Sequence, residues 1–190
     1  MTSIAVVTGT IRENRMNPLV ADYVVNYGND NYGDEANFEL IDIADYDLSP
    51  FEKGESPMVK KGDYDDPEVQ KWADEIERFD GYIFVTPEYN NNIPGSLKDG
   101  LDHLASEFSN KSAGVVSYGE TLGVTANIML RLTLANFNMA VTANMATYSI
   151  DSDFDYDAHK FIPEDFREDN LRSMISTVVK WSKALETLRN

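Results

Sequence analysis

Residue types that bind phosphate are concentrated in one short segment near the amino terminus. Residues 9–17 include Gly9, Thr10, Arg12, Arg15 and Asn17, and Pro18 follows at an expected helix start. Backbone N–H groups before a helix bind anions, and forked guanidinium groups add positive charge. The segment lacks the glycine pattern of dinucleotide folds and the Gly-Lys-Ser/Thr ending of nucleotide hydrolases, which favours a monophosphate. The alternative is a plain helix cap with two surface arginines.

A second polar segment, residues 86–98, is rich in proline, asparagine and glycine and could present backbone amides to a flat polar ring. Glu88 is a candidate general base, but the sequence places no histidine, serine or metal cluster beside it. We therefore favour a role for Glu88 in shaping the loop. Tyr89 could stack on a ring or pack against the protein. The neighbouring asparagines tolerate a left-handed backbone and can expose their amides.

A third segment, residues 117–123, contains Ser117, Tyr118, Gly119 and Gly123. Two glycines near a strand-to-helix junction allow a ligand to approach the backbone closely. This signal is weak alone. It gains weight because each of the three segments follows a predicted strand.

The elements that position these segments alternate between strand and helix. Strands are predicted at residues 3–8, 38–43, 81–85, 113–117 and 140–146, and helices at residues 18–27, 67–78, 94–104, 124–137 and 164–188. Alternation of this kind predicts an α/β fold with a parallel sheet covered on both faces. We expect one flavodoxin-like, three-layer domain over residues 1–190, with five parallel strands in the order 2-1-3-4-5.

Several details follow from the helical periodicity. Gly28 and the Asn-Asp-Asn-Tyr-Gly cluster that follows it are expected to end the first helix, and the 124–137 helix is expected to bury Ile128, Leu132 and Ala135. Trp72 and Trp181 lie at core spacing. Residues 44–66 form the longest irregular segment, which we expect to border the ligand pocket.

Composition excludes several kinds of chemistry. The chain has no cysteine, which removes disulfides, thiolate catalysis and cysteine-bound metal. It has 2 histidines, so a histidine-rich metal site is not expected, and His103 is predicted to be a surface or interface residue. Any redox reaction would therefore depend on an organic cofactor.

The charge is strongly negative, at −17 from 33 acidic and 16 basic residues. Such a field disfavours nucleic acids and anionic membranes as partners. It indicates a highly soluble surface or, as a sharper hypothesis, adaptation to high salt. No apolar stretch approaches the length of a membrane span, and the first residues do not resemble a signal peptide, so a cytoplasmic protein is expected.

Together the three segments resemble the NAD(P)H-dependent FMN reductase family, which includes quinone and azo-dye reductases. The resemblance rests on residues 9–15, on residues 87–90 with 93–98, and on residues 117–119 with Gly123. It implies that the FMN phosphate is bound by Thr10, Arg12, Arg15 and Asn17, with Gly9 and Met16 in the same loop. It also implies that the isoalloxazine ring is lined by Pro87, Glu88, Tyr89 and Asn90, and by Ser117, Tyr118 and Gly119. Two residues depart from the family pattern, since Arg15 replaces a frequent serine and Leu122 a frequent glycine.

The resemblance further implies hydride transfer from NADH or NADPH through the flavin to a quinone, flavin, azo or similar acceptor. No catalytic side chain and no metal would be required. Members commonly form dimers or tetramers. The main alternative is a flavodoxin-type electron carrier, although such carriers have phosphate loops rich in Ser/Thr and Gly without paired arginines. A third reading is a protein that keeps the fold but only binds a ligand or partner.

Overall fold

The computed structural model describes residues 1–52 and 54–189. Its parallel sheet contains β1 (Thr2–Thr8), β2 (Ala36–Ile41), β3 (Gly81–Pro87), β4 (Ser112–Gly119), β5 (Ala140–Val141) and β6 (Ala146–Ser149). The strand order is β2-β1-β3-β4-β5. Strands β5 and β6 both pair with β4, β5 near the start of β4 and β6 near its end. The flavodoxin-like order is thus confirmed. The fifth strand is not continuous over residues 140–146, however, since it consists of two short pieces.

Helices cover both faces of this sheet. They are α1 (Asn17–Tyr32), α2 (Pro57–Lys60), α3 (Pro67–Glu77), α4 (Gly95–Asp102), α5 (Val124–Asn136) and α6 (Glu168–Leu185). Short 3-10 turns lie at Ile43–Asp45, Ser106–Phe108, Asp165–Arg167 and Glu186–Leu188. A hairpin of β7 (Phe154–Asp155) and β8 (Lys160–Phe161) stands apart from the sheet. No helix of the described chain is both long and apolar enough to cross a membrane.

The apolar core has two halves because successive strand residues point to opposite faces. In β1, Ala5 and Val7 pack with α3, α4 and α5, whereas Ile4 and Val6 pack with α1 and α6. The buried residues of β3 alternate in the same way. Both faces are therefore apolar, which explains why these strands are near-continuous hydrophobic runs.

Helix α1 passes through Gly28 and ends at Tyr32, within the Asn-Asp-Asn-Tyr-Gly cluster of residues 29–33, so the predicted end at residue 27 is too early. A Cβ at Gly28 would lie 2.6 Å from Cγ of Phe38, so the glycine allows α1 to pack closely on the ring beside it. The role of Gly28 is therefore in tertiary packing.

The predicted inner face of α5 is wrong. Ile128 and Leu132 are 46% and 65% exposed, and Ala135 is also exposed, while Ala126, Leu130 and Leu134 are buried. This helix has apolar residues around its whole circumference, so spacing alone cannot identify the buried side.

Two further single-residue predictions also fail. Trp181 is 38% exposed at the edge of the buried face of α6, whereas Trp72 is fully buried as expected. His103 is not a surface residue: it is buried, with Nε2 2.8 Å from the carbonyl oxygen of Ser49. The 44–66 segment folds over His103 and covers it.

Candidate functional site

The carboxyl ends of β1, β3 and β4 open into a cleft of about 890 Å³. Most of the predicted site residues line it: Arg12, Arg15, Met16, Pro87, Glu88, Tyr89, Asn90, Tyr118 and Gly119. These residues come from the three polar segments singled out in the sequence. The parallel sheet brings them together because all three loops leave the same edge.

Four other predicted residues, Gly9, Thr10, Asn17 and Ser117, are buried behind the cleft wall. Asn17 is fully buried; its Oδ1 accepts from the Gly9 N–H at 2.9 Å and its Nδ2 donates to the Val85 carbonyl at 3.0 Å. Both polar ends of this side chain are thus engaged in fixing the first loop to β3. Ser117 plays a similar part, since its hydroxyl donates to the Leu122 carbonyl at 3.2 Å.

Thr10 connects the first and second loops. Its hydroxyl lies 3.0 Å from the Tyr89 hydroxyl and accepts from the Arg12 backbone N–H at 3.2 Å. Thr10 also lines a smaller cavity of about 390 Å³ that shares Arg12 and Tyr89 with the cleft. Pro50 of the long irregular segment contributes to that neighbouring cavity.

Arg15 presents an unpartnered donor in the cleft wall. Its Nη2 pairs with Asp42 at 2.5 Å, while its Nε is buried and has no hydrogen-bond partner among the described residues. A buried N–H without a partner costs free energy, which a bound anion would recover. The first turn of α1 adds few free donors, because Pro18 has no N–H group and the N–H groups of Leu19 and Val20 donate to the Met16 carbonyl. The guanidinium group of Arg15 fits a phosphate group.

The second loop is a tight turn with two left-handed residues. Asn90 and Asn91 have φ of 50° and 62°, and the backbone of Tyr89 and Asn92 exchanges hydrogen bonds at 2.9 and 3.0 Å. Positive φ at both central positions is the geometry of a type I′ turn, which asparagine tolerates. The predicted left-handed tolerance is confirmed for these two residues.

Glu88 holds the second loop against α5. Its Oε2 accepts from the Ala126 N–H at 3.0 Å, and its backbone N–H donates to the Tyr118 carbonyl at 2.9 Å. A carboxylate at the first turn of a helix stabilises that helix. This geometry supports the loop-shaping role over a general base.

The backbone of the third loop is closely packed. Gly123 has a φ of 64°, and a Cβ there would lie 2.7 Å from the Tyr118 backbone nitrogen. Leu122 also adopts a left-handed backbone, with φ of 63°, where the family frequently has glycine. The leucine thus sits in a conformation that glycine would adopt without strain.

Sequence reasoning missed one wall of the cleft. Tyr156 and His159, at the tip of the β7–β8 hairpin, line the cleft together with the three loops. The hairpin is held by buried Asp153, which accepts from the Ser149 and Glu164 backbone N–H groups at 2.6 and 2.9 Å and pairs with Arg167. The sequence here, with aspartates at positions 151, 153, 155 and 157, does not predict a hairpin.

Tyr118 links the sheet to that wall. Its ring lies 5.3 Å from that of Phe154, which in turn stacks on Tyr156 at 5.9 Å. Burial raises the pKa of the Tyr118 hydroxyl well above its ordinary value, so this group stays protonated at neutral pH.

Within the described residues, no cluster of three His, Asp or Glu side chains could hold a metal ion.

Comparison with known proteins identifies a family and a fold. The sequence model of a family described as NADPH-dependent FMN reductase matches residues 2–155. An NAD(P)H-dependent FMN reductase of Schizosaccharomyces pombe is 32% identical over 152 residues, which cover 79% of this chain and 74% of the relative. A quinone reductase of Pseudomonas putida is 32% identical over 146 residues, covering 72% of each chain. Among solved structures, the flavoenzyme NAD(P)H:acceptor oxidoreductase FerB of Paracoccus denitrificans superposes with a TM-score of 0.70 at 19% identity, covering 97% of this chain and 98% of FerB.

Proposed function

Since the chain belongs to the NADPH-dependent FMN reductase family, we propose that it moves a hydride from NAD(P)H through bound FMN to a small acceptor. A quinone, a flavin, an azo compound or a similar molecule would serve as that acceptor. The observation that carries the proposal is the unpartnered Nε of Arg15 in the wall of the cleft. This anion-binding corner lies in a cleft large enough to hold both a flavin and a second ring.

In this proposal the FMN phosphate binds to the guanidinium groups of Arg12 and Arg15, which both line the cleft. Arg15 is held in place by its ion pair with Asp42, whose Oδ1 accepts from the Thr8 hydroxyl at 2.7 Å. Asn17 shapes the loop from behind, since its side chain is already bonded at both ends. Its role differs from the direct phosphate contact that the family resemblance implies.

The flavin ring would lie against the second and third loops. Tyr89 and Asn90 form a turn fixed by backbone hydrogen bonds, and Gly119 leaves room beside Glu88. Pro87, Ser117, Tyr118 and Met16 complete this wall of the site. The backbone hydrogen bonds hold the second loop in this shape before a ligand binds, which reduces the entropy lost on binding.

When bound, FMN supplies the redox chemistry by accepting a hydride from the nicotinamide and passing its electrons to the acceptor. Reduction of a quinone to its hydroquinone also consumes one proton, which water can provide. The side chains of this protein bind and orient the reactants and limit access of water. Glu88 is engaged with α5 and is not required as an acid or base.

The protein is further proposed to form a homodimer through α5. Ile128, Met129 and Leu132 give this helix an exposed apolar face, and residues 121–150 contain no Asp or Glu. A second copy of a chain with a charge of −17 would be repelled by most of the surface. The acid-free face of α5 is where two copies can meet with the least repulsion.

Sedimentation velocity tests this interface. Leu132→Glu is expected to shift the protein from dimer to monomer. Phe166→Glu is the matched control, because Phe166 is 69% exposed but lies outside α5. A monomeric wild type, or a dimer that survives Leu132→Glu, would contradict the proposal.

The flavin proposal is tested by binding and turnover. Purified protein should take up FMN and oxidise NADH or NADPH when a quinone is present. Arg15→Lys keeps the charge beside Asp42 but removes the Nε–H, and should weaken FMN binding about tenfold or more. Arg172→Lys, on the exposed surface of α6, is the control. Uptake of FMN without oxidation of either nicotinamide would indicate an electron carrier, and failure to bind FMN would leave only a ligand-binding role.

A further inference from the structure

Two exposed carboxylates stand at the rim of the cleft without ion-pair partners. Glu13 lies in the first loop and Glu120 in the third, and both line the cleft. Neither side chain forms an ion pair or hydrogen bond with any of the described residues. Their negative charges are therefore not offset by protein groups and act directly on whatever enters.

The two arginines of the same cleft, Arg12 and Arg15, do not offset these carboxylates. Arg15 is already paired with Asp42 at 2.5 Å. Arg12 remains, and the proposed function assigns both guanidinium groups to a phosphate. Once that phosphate is bound, the space left for an acceptor has carboxylates at its rim without compensating cations.

The hairpin wall adds charge of the same sign. Asp155 and Asp157 flank Tyr156 at the hairpin tip, and both aspartates are exposed. Asp155 accepts from the Ala158 backbone N–H at 2.9 Å, which fixes the tip but leaves its charge in place. These two carboxylates do not line the cleft themselves, but they add negative charge next to Tyr156, which does, within a chain whose net charge is −17.

We infer that this cleft selects electron acceptors by charge, favouring neutral or cationic rings over anionic ones, and that Glu13 and Glu120 determine this selectivity. The inference rests on the proposed reductase function and narrows its substrate class. Neutral quinones belong to the favoured class. Sulfonated azo dyes, metal oxyanions and free flavin phosphates belong to the disfavoured one.

The size of the effect follows from electrostatics at the protein surface. A carboxylate about 8 Å from an anionic substituent contributes a repulsion of about 0.5 kcal/mol in water, or roughly a twofold loss for each charge. Several carboxylates around a low-dielectric cleft increase this effect, and salt reduces it. A preference of about threefold to tenfold at low ionic strength is the expected range.

The experiment uses three 1,4-naphthoquinones that differ only in a neutral, sulfonate or trimethylammonium substituent. The ratio of kcat/KM for the neutral and sulfonate compounds is measured with the FMN-loaded enzyme at 20 mM and 500 mM NaCl. Glu13→Gln/Glu120→Gln is compared with Asp34→Asn/Glu186→Gln, an equal change in net charge at exposed acids on the opposite edge of the sheet. Comparing one ratio between proteins cancels the different reduction potentials of the quinones.

Selectivity by charge predicts that Glu13→Gln/Glu120→Gln lowers the ratio of kcat/KM for the neutral and sulfonate quinones about threefold or more, as high salt does. The control Asp34→Asn/Glu186→Gln should leave this ratio unchanged. Equilibrium binding of the same quinones to the oxidised holoprotein, without nicotinamide, should show the same order. Equal ratios in all proteins and at both salt concentrations would overturn the inference while leaving the reductase function intact. Absence of NAD(P)H oxidation with every quinone would instead refute the proposed function.

Discussion

The Glu88 carboxylate accepts a hydrogen bond from the Ala126 backbone N–H at 3.0 Å, which joins the loop after β3 to the first turn of α5. The loop therefore depends on α5 for its position. Since α5 also carries the face proposed for dimerisation, the same contact connects that interface to the cleft.

Glu88→Gln should keep this contact, because the glutamine side chain retains an oxygen that accepts from Ala126. We expect substantial NAD(P)H oxidation and unchanged FMN binding. Glu88→Ala removes the acceptor and should lower the free energy of unfolding by about 1 kcal/mol, as loss of a helix cap does. Stopped-flow measurement of flavin reduction provides the test. A collapse of hydride transfer in Glu88→Gln with FMN still bound would assign Glu88 a chemical role.

Gly123→Ala should damage the third loop. Its Cβ would lie 2.7 Å from the Tyr118 backbone nitrogen, and the φ of 64° is unfavourable for alanine. We expect a loss of about 2–4 kcal/mol in the free energy of unfolding, measured by urea denaturation. Gly95→Ala is the matched control: no atom lies within 4 Å of a Cβ there, so the change at the start of α4 should be neutral or slightly stabilising. Equal effects of the two substitutions would contradict the packing argument.

Leu122 should tolerate glycine better than a β-branched residue. At a φ of 63°, Leu122→Gly relieves backbone strain of about 1–2 kcal/mol, which offsets the greater chain entropy of glycine in the unfolded state. The free energy of unfolding is expected to change by less than about 1 kcal/mol. Leu122→Val, whose branched side chain fits a left-handed backbone poorly, should cost more. The reverse order in denaturant titrations would show that packing of the leucine side chain is dominant.

Lys111 should make stability depend on alkaline pH. The pKa of Lys111 is lowered from 10.5 to about 8, chiefly by burial and next by nearby Arg189, against the opposing effect of Glu77 and other acids. Between about pH 8 and pH 10.5 the unfolded chain holds the proton that the folded protein has lost, so the free energy of unfolding rises with pH. The expected gain is about 2 kcal/mol between pH 7 and pH 9.5.

Lys111→Met should flatten that rise without leaving a buried donor unpaired. The Lys111 ammonium donates to the Glu77 carbonyl and to the Tyr82 hydroxyl, and Tyr82 itself donates to the Ile76 carbonyl at 2.6 Å. Chemical denaturation at a series of pH values measures the effect. Lys180→Met on α6 is the control, and a slope that persists in Lys111→Met would assign the pH dependence to other groups.

Salt should stabilise the fold. The charge of −17 produces self-repulsion, which is screened as the Debye length falls from about 10 Å at 0.1 M salt to about 3 Å at 1 M. Thermal unfolding between 0.05 and 2 M NaCl should show a rising midpoint, and unfolding on transfer to low salt would support adaptation to a high-salt habitat. A variant with Asp30, Asp34 and Asp63 changed to Asn should show a weaker dependence. Unchanged stability across the series would refute that hypothesis.

Some features of the fold and site could be predicted because they depend on local sequence and on rules of topology. The apolar runs of β1, β3 and β4 are buried on both faces, so they predict a parallel sheet whatever their exact contacts. The short connections then fix the strand order, and the polar residues after each strand must meet at one edge.

Other features could not be predicted from local patterns. The buried face of α5 could not be predicted because its sequence is apolar on every side. Only packing against β4 and β5 determines that Leu130 is buried and Ile128 exposed. His103 is buried because a distant segment, including Ser49, folds over it. The hairpin that brings Tyr156 to the cleft depends on the ion pair between buried Asp153 and Arg167, which lie on either side of the hairpin in the sequence.

The sequence by itself thus determined the sheet, its order and the three loops that form the cleft, since these depend on hydrophobic periodicity and chain connectivity. Only the tertiary structure decided what each polar side chain does there. It engaged Asn17 and Glu88 with the backbone, left the Nε of Arg15 without a partner, and left Glu13 and Glu120 as uncompensated charges. The physical reason is that the role of a polar group depends on which partners surround it, and those partners come from distant parts of the chain.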